Sequence, residues 1–329
     1  MTQAAQTMDG HTTVTAYGYD AIGSVITTSQ KLDSGTAWLT GYSYDYQQGV
    51  RTVTYPSGKV LTYTLDTVNR LDSVADSDNG LIAGYSYDIF NHVNDLAYNN
   101  GLTNTTQYDP LGRILQMQVN SNSSTLADYG YGYDDVGNRT YMQRNHRPND
   151  PADVYQYDGL YQLVQVWYGA DATEPGSITN YNSLQDYDLD QMGNRLAVTE
   201  DSVTTDYGPH NGSQLTNALN QYEEVDEEPI GYDLRGNVLA DPNSVYTYDI
   251  LNRQTTVSNT NGLTEYIYDA RGRRVAKVQD SATTHFIYDT SYRVIEERNS
   301  SETLVAAYTR RGNTRQQRPG SAHAVRRPH

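Results

Sequence analysis

The residues best arranged for metal chemistry are three alternating aspartates, Asp186, Asp188 and Asp190. This spacing matches the first ligands of a calcium loop, in which carboxylates at alternate positions converge on one ion. Such a loop also needs a glycine at its sixth position and a bidentate glutamate at its twelfth, but Gln191 and Ala197 stand there. We therefore predict that this segment binds no calcium and that Asp190 has a structural role.

The histidines offer no catalytic or metal-binding pattern. None of the seven pairs with another at the spacing of a metal site: they are His11, His92, His146, His210, His285, His323 and His329. The chain has no cysteine, which excludes disulfides and thiolate metal sites. The sequence contains neither a nucleophile elbow nor a phosphate-binding loop. We predict a protein without catalytic residues, without a cofactor and without a metal site.

Tyrosines are the remaining candidates, since the chain has 31 of them beside two Phe and two Trp. Their rings can fill a sheet face, with hydroxyls that reach water or neighbouring Asp and Arg side chains. Alternatively, exposed rings can stack on sugars, and the surface would then bind glycans. The acidic run Glu223–Pro229 leaves a similar choice between a solvated loop and a site for cations or basic partners.

The charge of the chain narrows the class of partner. A net charge of −17 argues against nucleic acid, because binding to a phosphate backbone needs clustered Lys and Arg. No stretch approaches 18 consecutive apolar residues, so we expect no membrane insertion. Residues 1–10 lack the basic and apolar regions of a secretory signal. The charge is also uneven, since residues 310–329 hold six Arg and no acid, whereas residues 1–309 carry −23.

The strongest pattern is a repeat, most often 20 to 25 residues long, built around the dyad Tyr-Asp. The dyad occurs eleven times in the chain. Gly follows Asp by three residues at Asp20, Asp109, Asp134, Asp190, Asp233 and Asp269. Asn replaces that Gly after Asp66, Asp88 and Asp249, and Asn217 with Asn220 supplies a further copy. Asp45, Asp158 and Asp289 keep the dyad but vary the turn.

This spacing predicts hairpin tips. Asp at the first position of a type I turn accepts hydrogen bonds from turn amides, and Gly or Asn at the fourth tolerates a left-handed backbone. Tyrosines two residues apart, such as Tyr131 and Tyr133, predict strands that present both rings on one sheet face. Return turns follow at sites such as Asn261-Gly262. Thirteen such tips predict an all-β chain, a long curved antiparallel sheet of about 24 to 26 strands in repeated hairpins.

Three runs carry a resemblance to a known family: Tyr108–Arg113, Tyr131–Arg139 and Tyr266–Arg274. They resemble the YD repeats of the Rhs family, which also includes bacterial wall-associated proteins, components of insecticidal toxin complexes and the animal teneurins. The resemblance covers residues 17–309 and implies a spiralling β-sheet that closes into a hollow shell. In bacterial members the shell encloses a C-terminal toxin, and the repeats have been associated with carbohydrate binding. The resemblance also implies a secreted or cell-surface protein.

The repeat pattern divides the chain into three parts. We expect an N-terminal lead-in at residues 1–16, a YD-repeat array at 17–309 and a basic, disordered tail at 310–329. The chain has fewer repeats than a full shell of the family needs. The family's core segment, whose carboxylates release the toxin, does not follow Tyr308. The repeat pattern stops at Tyr308-Thr309, where the Arg-rich tail begins, so we expect a truncated or frameshifted reading frame, or a fragment of a larger gene, in preference to a genuine basic extension.

Two functional hypotheses follow. The leading one is a non-catalytic structural segment of a shell that would encapsulate a toxin or effector in the full-length secreted or surface protein. Its partners would be the remainder of its own shell or an encapsulated C-terminal toxin. The alternative is an extracellular adhesion module whose Tyr-rich sheet surface binds cell-surface carbohydrates. Neither hypothesis involves nucleic acid or insertion into a membrane.

Overall fold

The computed structural model describes residues 2–309 apart from residues 9, 46–48, 123, 150, 209–215 and 218. The described residues form 29 β-strands and one short 3-10 helix, so the all-β prediction is confirmed. The strands make an antiparallel sheet of 18, a second sheet of nine and a two-stranded ribbon. The described strands outnumber those expected from the repeat count, because residues 2–19 form a hairpin and the acidic run forms the ribbon. The basic tail lies outside the described residues.

The chain divides into two compact units, of which unit 1 comprises residues 1–84 and 246–329, and unit 2 comprises residues 85–245. In the first segment of unit 1 each strand pairs antiparallel with the next, in simple hairpin succession. The strands are β1 (Thr2–Met8), β2 (His11–Tyr19), β3 (Val25–Leu32), β4 (Trp38–Asp45), β5 (Gly49–Thr54), β6 (Val60–Leu65), β7 (Leu71–Asp76) and β8 (Gly80–Tyr87), and the last of these ends in unit 2.

Unit 2 continues the same hairpin succession. Its strands are β9 (Val93–Tyr98), β10 (Thr103–Tyr108), β11 (Ile114–Ser121), β12 (Ser124–Tyr133), β13 (Arg139–Arg144), β14 (Ala152–Tyr157), β15 (Leu163–Ala170), β16 (Ser183–Leu189), β17 (Arg195–Glu200), β18 (Val203–Asp206), β19 (Glu224–Val225), β20 (Glu228–Pro229), β21 (Gly231–Tyr232) and β22 (Val238–Asp241). Strands β9 to β18 pair each with the next, so their tips alternate with return turns along opposite edges of the sheet.

The second segment of unit 1 contains seven strands, of which the first begins in unit 2. They are β23 (Ser244–Tyr248), β24 (Gln254–Asn259), β25 (Gly262–Tyr268), β26 (Arg274–Gln279), β27 (Ala282–Tyr288), β28 (Val294–Arg298) and β29 (Leu304–Ala307). These strands lie against the first segment, so that unit 1 has two layers. The Gln30 side-chain amide on β3 donates to the carbonyl of Phe286 on β27 at 2.6 Å. The hydroxyl of Tyr55, just after β5, donates to the Tyr308 carbonyl at 2.7 Å.

The core of the described chain is concentrated between these layers. Fifteen of its twenty buried apolar residues belong to unit 1, among them Leu61, Leu71 and Ile287. Unit 2 holds the other five, of which Ala152, Val154 and Ala170 form one cluster covered by Tyr141, Trp167 and Ile178. Apolar burial is therefore sparser in unit 2 than in unit 1.

Candidate functional site

The repeated tips are the one feature that brings motif residues together throughout the described chain. At the tip of Asp134, the Gly137 amide donates to the Asp134 carbonyl at 3.1 Å, which is the bond of a type I turn. The Asp134 amide in turn donates to the Asn138 carbonyl at 2.9 Å and begins the strand ladder. Gly137 has a φ of 98°, in the left-handed region that residues with a Cβ rarely adopt.

The first residue of each tip holds the turn through its side chain. Oδ1 of Asp134 accepts the main-chain amides of Val136 and Asn138 at 3.1 and 2.7 Å. Twelve further tips repeat this pair of bonds to one side-chain oxygen: those of Asp20, Asp66, Asp88, Asp109, Asp158, Asp190, Asn217, Asp233, Asp249, Asp269, Asp289 and Asn299. The structure thus confirms the predicted role of Asp as the acceptor of turn amides.

Hydrogen bonds also keep tip carboxylates ionised. The side-chain amide of Asn194, donating at 2.8 Å, holds the pKa of Asp190 below its usual range although partial burial opposes this. Asn237 lowers the pKa of Asp233 in the same way. Because donors around a carboxylate favour its charged form, these tips carry negative charge in neutral solution.

The fourth tip position is more permissive than the sequence suggested. Tyr161 and Tyr292 occupy it after Asp158 and Asp289, with φ values of 63° and 62°, and the turns do not differ from those with Gly. Glu302 fills the same position, at φ 60°, in a tip that begins at Asn299 and that the repeat pattern had not identified. The side-chain acceptor at the first position therefore defines the turn, and the left-handed backbone is imposed on whatever residue follows.

A cation after the tip joins neighbouring repeats. Nε of Arg113 donates to Asp109 Oδ2 at 2.6 Å, and the same guanidinium lies over the ring of Tyr133 in the next repeat, 4.7 Å from its centroid. Arg253 repeats both contacts with Asp249 and Tyr268. The sequence signal for this contact between repeats is an Arg four residues after the tip Asp, which the repeat pattern did not include. Such a pair combines a charge-assisted hydrogen bond with a cation–π contact.

Seven dyad tyrosines bond the preceding repeat from the other side. The Tyr133 hydroxyl donates to the main-chain carbonyl of Ile114 in the preceding repeat at 2.9 Å. Six more dyad tyrosines bond the equivalent carbonyl, five residues after the preceding tip residue: Tyr44, Tyr108, Tyr157, Tyr232, Tyr268 and Tyr288. We call this hydroxyl–carbonyl bond the repeat clamp. The expected partners of the hydroxyls, water or Asp and Arg side chains, are replaced here by the backbone.

The clamp occurs where the strand ladder is already interrupted. Around the Asp109 tip, Gln107 pairs with Gln116 while Tyr108 pairs with Ile114, so one residue bulges from β11. The clamp acceptor is the carbonyl of Ile114, at the edge of that bulge. A bulge disrupts the regular ladder bonds, and the incoming tyrosine supplies a donor there.

The three aspartates of the calcium-like segment have separate local roles. Asp186 accepts a hydrogen bond from the Gln165 side chain, Asp188 is exposed, and Asp190 anchors a tip. Across the residues that the structure describes, no three acidic or histidine side chains are placed to hold a metal ion.

No described helix is long and apolar enough to cross a membrane.

The described histidines serve separate local contacts. His11 pairs with Asp33 at 2.8 Å and His92 with the tip residue Asp88 at 3.0 Å, both near the surface. His285 is buried in unit 1 with its ring 5.0 Å from that of Trp38. His210, His323 and His329 lie outside the described residues. The acidic run, for which a solvated loop and a site for cations or basic partners were both considered, forms the ribbon of β19 and β20, with Asp226, Glu227 and Glu228 exposed.

Unit 1 also contains a cleft of about 270 Å³. It lies where the β1–β2 hairpin meets strands β23 to β25, and its polar lining includes Gln6, His11, Thr247, Thr256, Glu265 and Tyr266. Hydroxyls, an amide, a carboxylate and an aromatic ring are thus grouped around one small volume. The repeat pattern gave no sign of this cleft, because its residues come from segments about 240 positions apart.

Comparison with solved structures identifies the fold. The chain superposes on the crystal structure of TcdB2-TccC3-Cdc42 with a TM-score of 0.62 over 88% of its length, at 17% sequence identity. The chain therefore shares the YD-repeat β-sheet fold of these solved structures. The crystal structure of TcdB2-TccC3 gives the same TM-score and identity over 87% of the chain. The Photorhabdus luminescens Tc holotoxin pore gives a TM-score of 0.56 over 93%, at 14% identity.

These likenesses establish the YD-repeat fold that the Tyr-Asp motif predicted. At such low sequence identities they are evidence of the fold alone. The chain spans only 17 to 20% of the length of those solved chains. No family model matches the sequence, and no curated protein does.

Proposed function

We propose that this chain is a non-catalytic wall segment of a YD-repeat shell, which in a longer secreted protein encloses a toxin or effector. The repeat clamp carries the proposal. The hydroxyl of the dyad tyrosine and the carboxylate of the tip aspartate, the two groups most often repeated, are bonded to the backbone of the array itself. Side chains that bond the backbone of their own sheet stabilise a wall, whereas an active site needs groups directed at a substrate.

The size of the array defines what it does in that longer protein. The chain spans about a fifth of the solved chains with the same fold, so it supplies part of an enclosure and depends on further repeats to complete it. Its partners are accordingly the remaining repeats and whatever polypeptide they surround. The described strands form a repeating sheet, an architecture that suits containment more than recognition of a small substrate.

A fusion series tests this proposal. A small reporter enzyme is joined after Thr309, directly or through increasing numbers of additional YD repeats. If the array acts as a wall, the half-life of the reporter in trypsin lengthens as repeats are added. The gain is lost again when tips are broken by substitutions such as Gly137→Val. Equal reporter half-lives across the series would contradict an enclosing role.

The cleft of unit 1 favours a second candidate, an adhesion module that binds carbohydrate. Sugars are bound by an aromatic face together with hydrogen-bonding groups, and Tyr266, Glu265 and Thr247 supply both around the cleft. The test is a glycan array followed by titration with the best glycan. Tyr266→Ala abolishes saturable binding if the cleft is the site, whereas Tyr181→Ala, at an exposed tyrosine of unit 2, leaves it unchanged. Equal binding by both variants rejects the candidate.

A further inference from the structure

Five consecutive tips of unit 2 expose a large apolar side chain two residues after the tip aspartate. These residues are Phe90, Leu111, Val136, Leu160 and Met192, with 59 to 78% of each side chain exposed. All five tips lie on one edge of the sheet, because strands β9 to β17 pair each with the next in antiparallel order. Two strand widths separate neighbours, so the apolar side chains recur about every 10 Å. We call this edge the tip row.

The turn itself does not require an apolar residue at this position. Arg271, Ser291 and Ser301 occupy it in the tips of Asp269, Asp289 and Asn299 in unit 1.

Those three unit 1 tips contact the facing sheet, although Arg271, Ser291 and Ser301 are themselves exposed. Arg271 donates to the Tyr17 hydroxyl, the Thr290 amide donates to the Tyr42 hydroxyl at 3.1 Å, and Glu302 accepts the Thr36 amide at 3.0 Å. Exposed apolar residues also follow the Asp20, Asp66 and Asp249 tips of unit 1, as Ile22, Val68 and Leu251, whereas an exposed Arg235 follows the Asp233 tip of unit 2. The tip row is distinguished by five exposed apolar side chains on consecutive tips, and a contiguous apolar patch of this kind indicates an interaction surface.

The charge of the tip row indicates what covers it. In unit 1, the tip residues Asp66, Asp249, Asp269 and Asp289 are each paired with an Arg four residues later. In the tip row only Asp109 has this arrangement, and the residue four positions after Asp88, Asp134, Asp158 and Asp190 is His, Asn, Gln and Asn in turn. Residues 85–245 contain 24 acidic and six basic residues, a net charge of −18. The row therefore presents apolar side chains among carboxylates.

We propose that the tip row is a docking site for a cationic amphipathic α-helix of another protein. Seven residues of an α-helix span about 10.5 Å, so apolar side chains one heptad apart match the spacing of the tips. An extended strand repeats its facing side chains about every 6.7 Å and falls out of step with the row. Basic residues flanking the apolar stripe would meet the tip carboxylates, which steer and orient such a partner. The repeat region of a second copy, residues 1–309 with a net charge of −23, lacks that complementarity.

The experiment measures the affinity of the full chain for a synthetic 28-residue Leu/Lys helix whose leucines are one heptad apart, by fluorescence anisotropy. A Leu/Glu helix of the same pattern tests whether binding needs positive charge on the peptide. A poly-lysine of the same length tests whether binding needs the leucines. The tip variant combines Phe90→Ser, Leu111→Ser, Leu160→Ser and Met192→Ser. The matched control combines Leu39→Ser, Leu81→Ser, Leu263→Ser and Val305→Ser, which are exposed apolar residues away from the tips.

We expect the Leu/Lys helix to bind in a saturable, salt-sensitive manner, with the Leu/Glu helix inactive and poly-lysine weaker. The tip variant loses at least about tenfold in affinity while the control variant loses little. Equal affinities for the two variants overturn the proposal, as does equal binding of both helices. A tip variant that instead changes the sedimentation of the chain alone assigns the row to a second copy and overturns the helix. Circular dichroism of both variants verifies that they are folded. The row exists whether or not the array encloses anything, so this experiment and the reporter fusions fail separately.

Discussion

Unit 1 and unit 2 are built from the same repeat, yet they use its aspartate differently. In unit 1 the carboxylate of Asp269 is buried at 1% exposure and is bonded to Arg273 beneath a second sheet. In unit 2 the carboxylate of Asp134 is bonded to Asn138 at an open tip. The turn is the same in both, with the same two amides on Oδ1. The motif therefore specifies a hairpin, and the neighbour across the sheet decides whether the aspartate also forms part of a core.

The largest difference between the units is expected when the tip carboxylate is removed. Asp269→Ala leaves the buried Arg273 without its counter-ion and should lower the free energy of unfolding of unit 1 by about 3–5 kcal/mol. Asp134→Ala removes only turn hydrogen bonds and should cost unit 2 about 1–2 kcal/mol. Denaturation followed by fluorescence reports each unit, because Trp38 lies in unit 1 and Trp167 in unit 2. Equal losses at the two sites would show that burial between sheets adds nothing to the motif.

A smaller effect comes from the fourth tip position in unit 2. Gly137→Val forces a β-branched residue to a φ of 98°, although no atom lies within 4 Å of the added Cβ. We expect a loss of about 1–3 kcal/mol in the free energy of unfolding, from backbone strain alone. The neighbouring surface change Asp135→Asn should cost almost nothing. Identical urea midpoints for the two variants would contradict the turn assignment.

Replacing a tyrosine by glycine at the fourth tip position should change stability differently in the two units. Tyr161 of unit 2 is 60% exposed at a φ of 63°, so Tyr161→Gly should relieve strain and raise the free energy of unfolding by about 0.5–1 kcal/mol.

Tyr292 of unit 1 has the same backbone but lies between the guanidinium groups of Arg271 and Arg273, at 5.1 and 5.5 Å. Tyr292→Gly should therefore give no gain, because the lost cation–π contacts offset the relief. Thermal melting of both variants tests this, and equal gains would mean that the arginine contacts contribute nothing.

The smallest expected difference is a response to mild acid that is confined to unit 1. Burial lowers the pKa of His285 from its usual 6.5, against the opposing charge of Glu302. Arg298 is paired with His285 on the next strand, and its guanidinium is bonded to the Glu296 carboxylate. A lowered histidine pKa gives stability that is complete above about pH 6.5 and declines as the pH falls below it, because the unfolded chain takes up the proton first. The tip carboxylates, with pKa values below 3.8, begin to respond only at lower pH.

We therefore expect the urea midpoint of unit 1 to fall between pH 7 and pH 5 while that of unit 2 stays constant. Trp38 fluorescence in the Trp167→Phe variant reports unit 1 directly, since its ring packs on His285. The substitution His285→Gln should remove the slope. A slope that persists in this variant would assign the response to another group.

The local chemistry of the array could be predicted from the sequence, but its long-range packing could not. Asp-x-x-Gly with paired tyrosines indicated the tips, the strands and the YD-repeat fold, because turn bonding and strand alternation act between residues that are close in the chain. The tip of Asn299 was missed, since Glu302 lacks the glycine signal although the Asn side chain alone holds the turn.

Contacts across unit 1 had no such signal. Glu296 is fully buried and accepts a hydrogen bond from the Ser57 amide, 239 residues away in the chain. The sequence around neither residue indicates this contact. The cleft beside Tyr266 was hidden for the same reason. The repeat clamp was missed because its acceptor is a main-chain carbonyl, which every residue possesses.

The repeat clamp has a consequence for how such arrays change in evolution. Each joint links a tyrosine to a carbonyl of the hairpin just before it, and any repeat offers the same acceptor at the same place. A duplicated hairpin therefore brings both the tyrosine hydroxyl and the carbonyl acceptor with which it bonds its neighbours. After a deletion, the two flanking hairpins form the same bond with each other without a change of sequence. Recombination between repeats can then alter the length of the array in whole steps. Array length becomes a heritable quantity that varies independently of the residues that hold the sheet together.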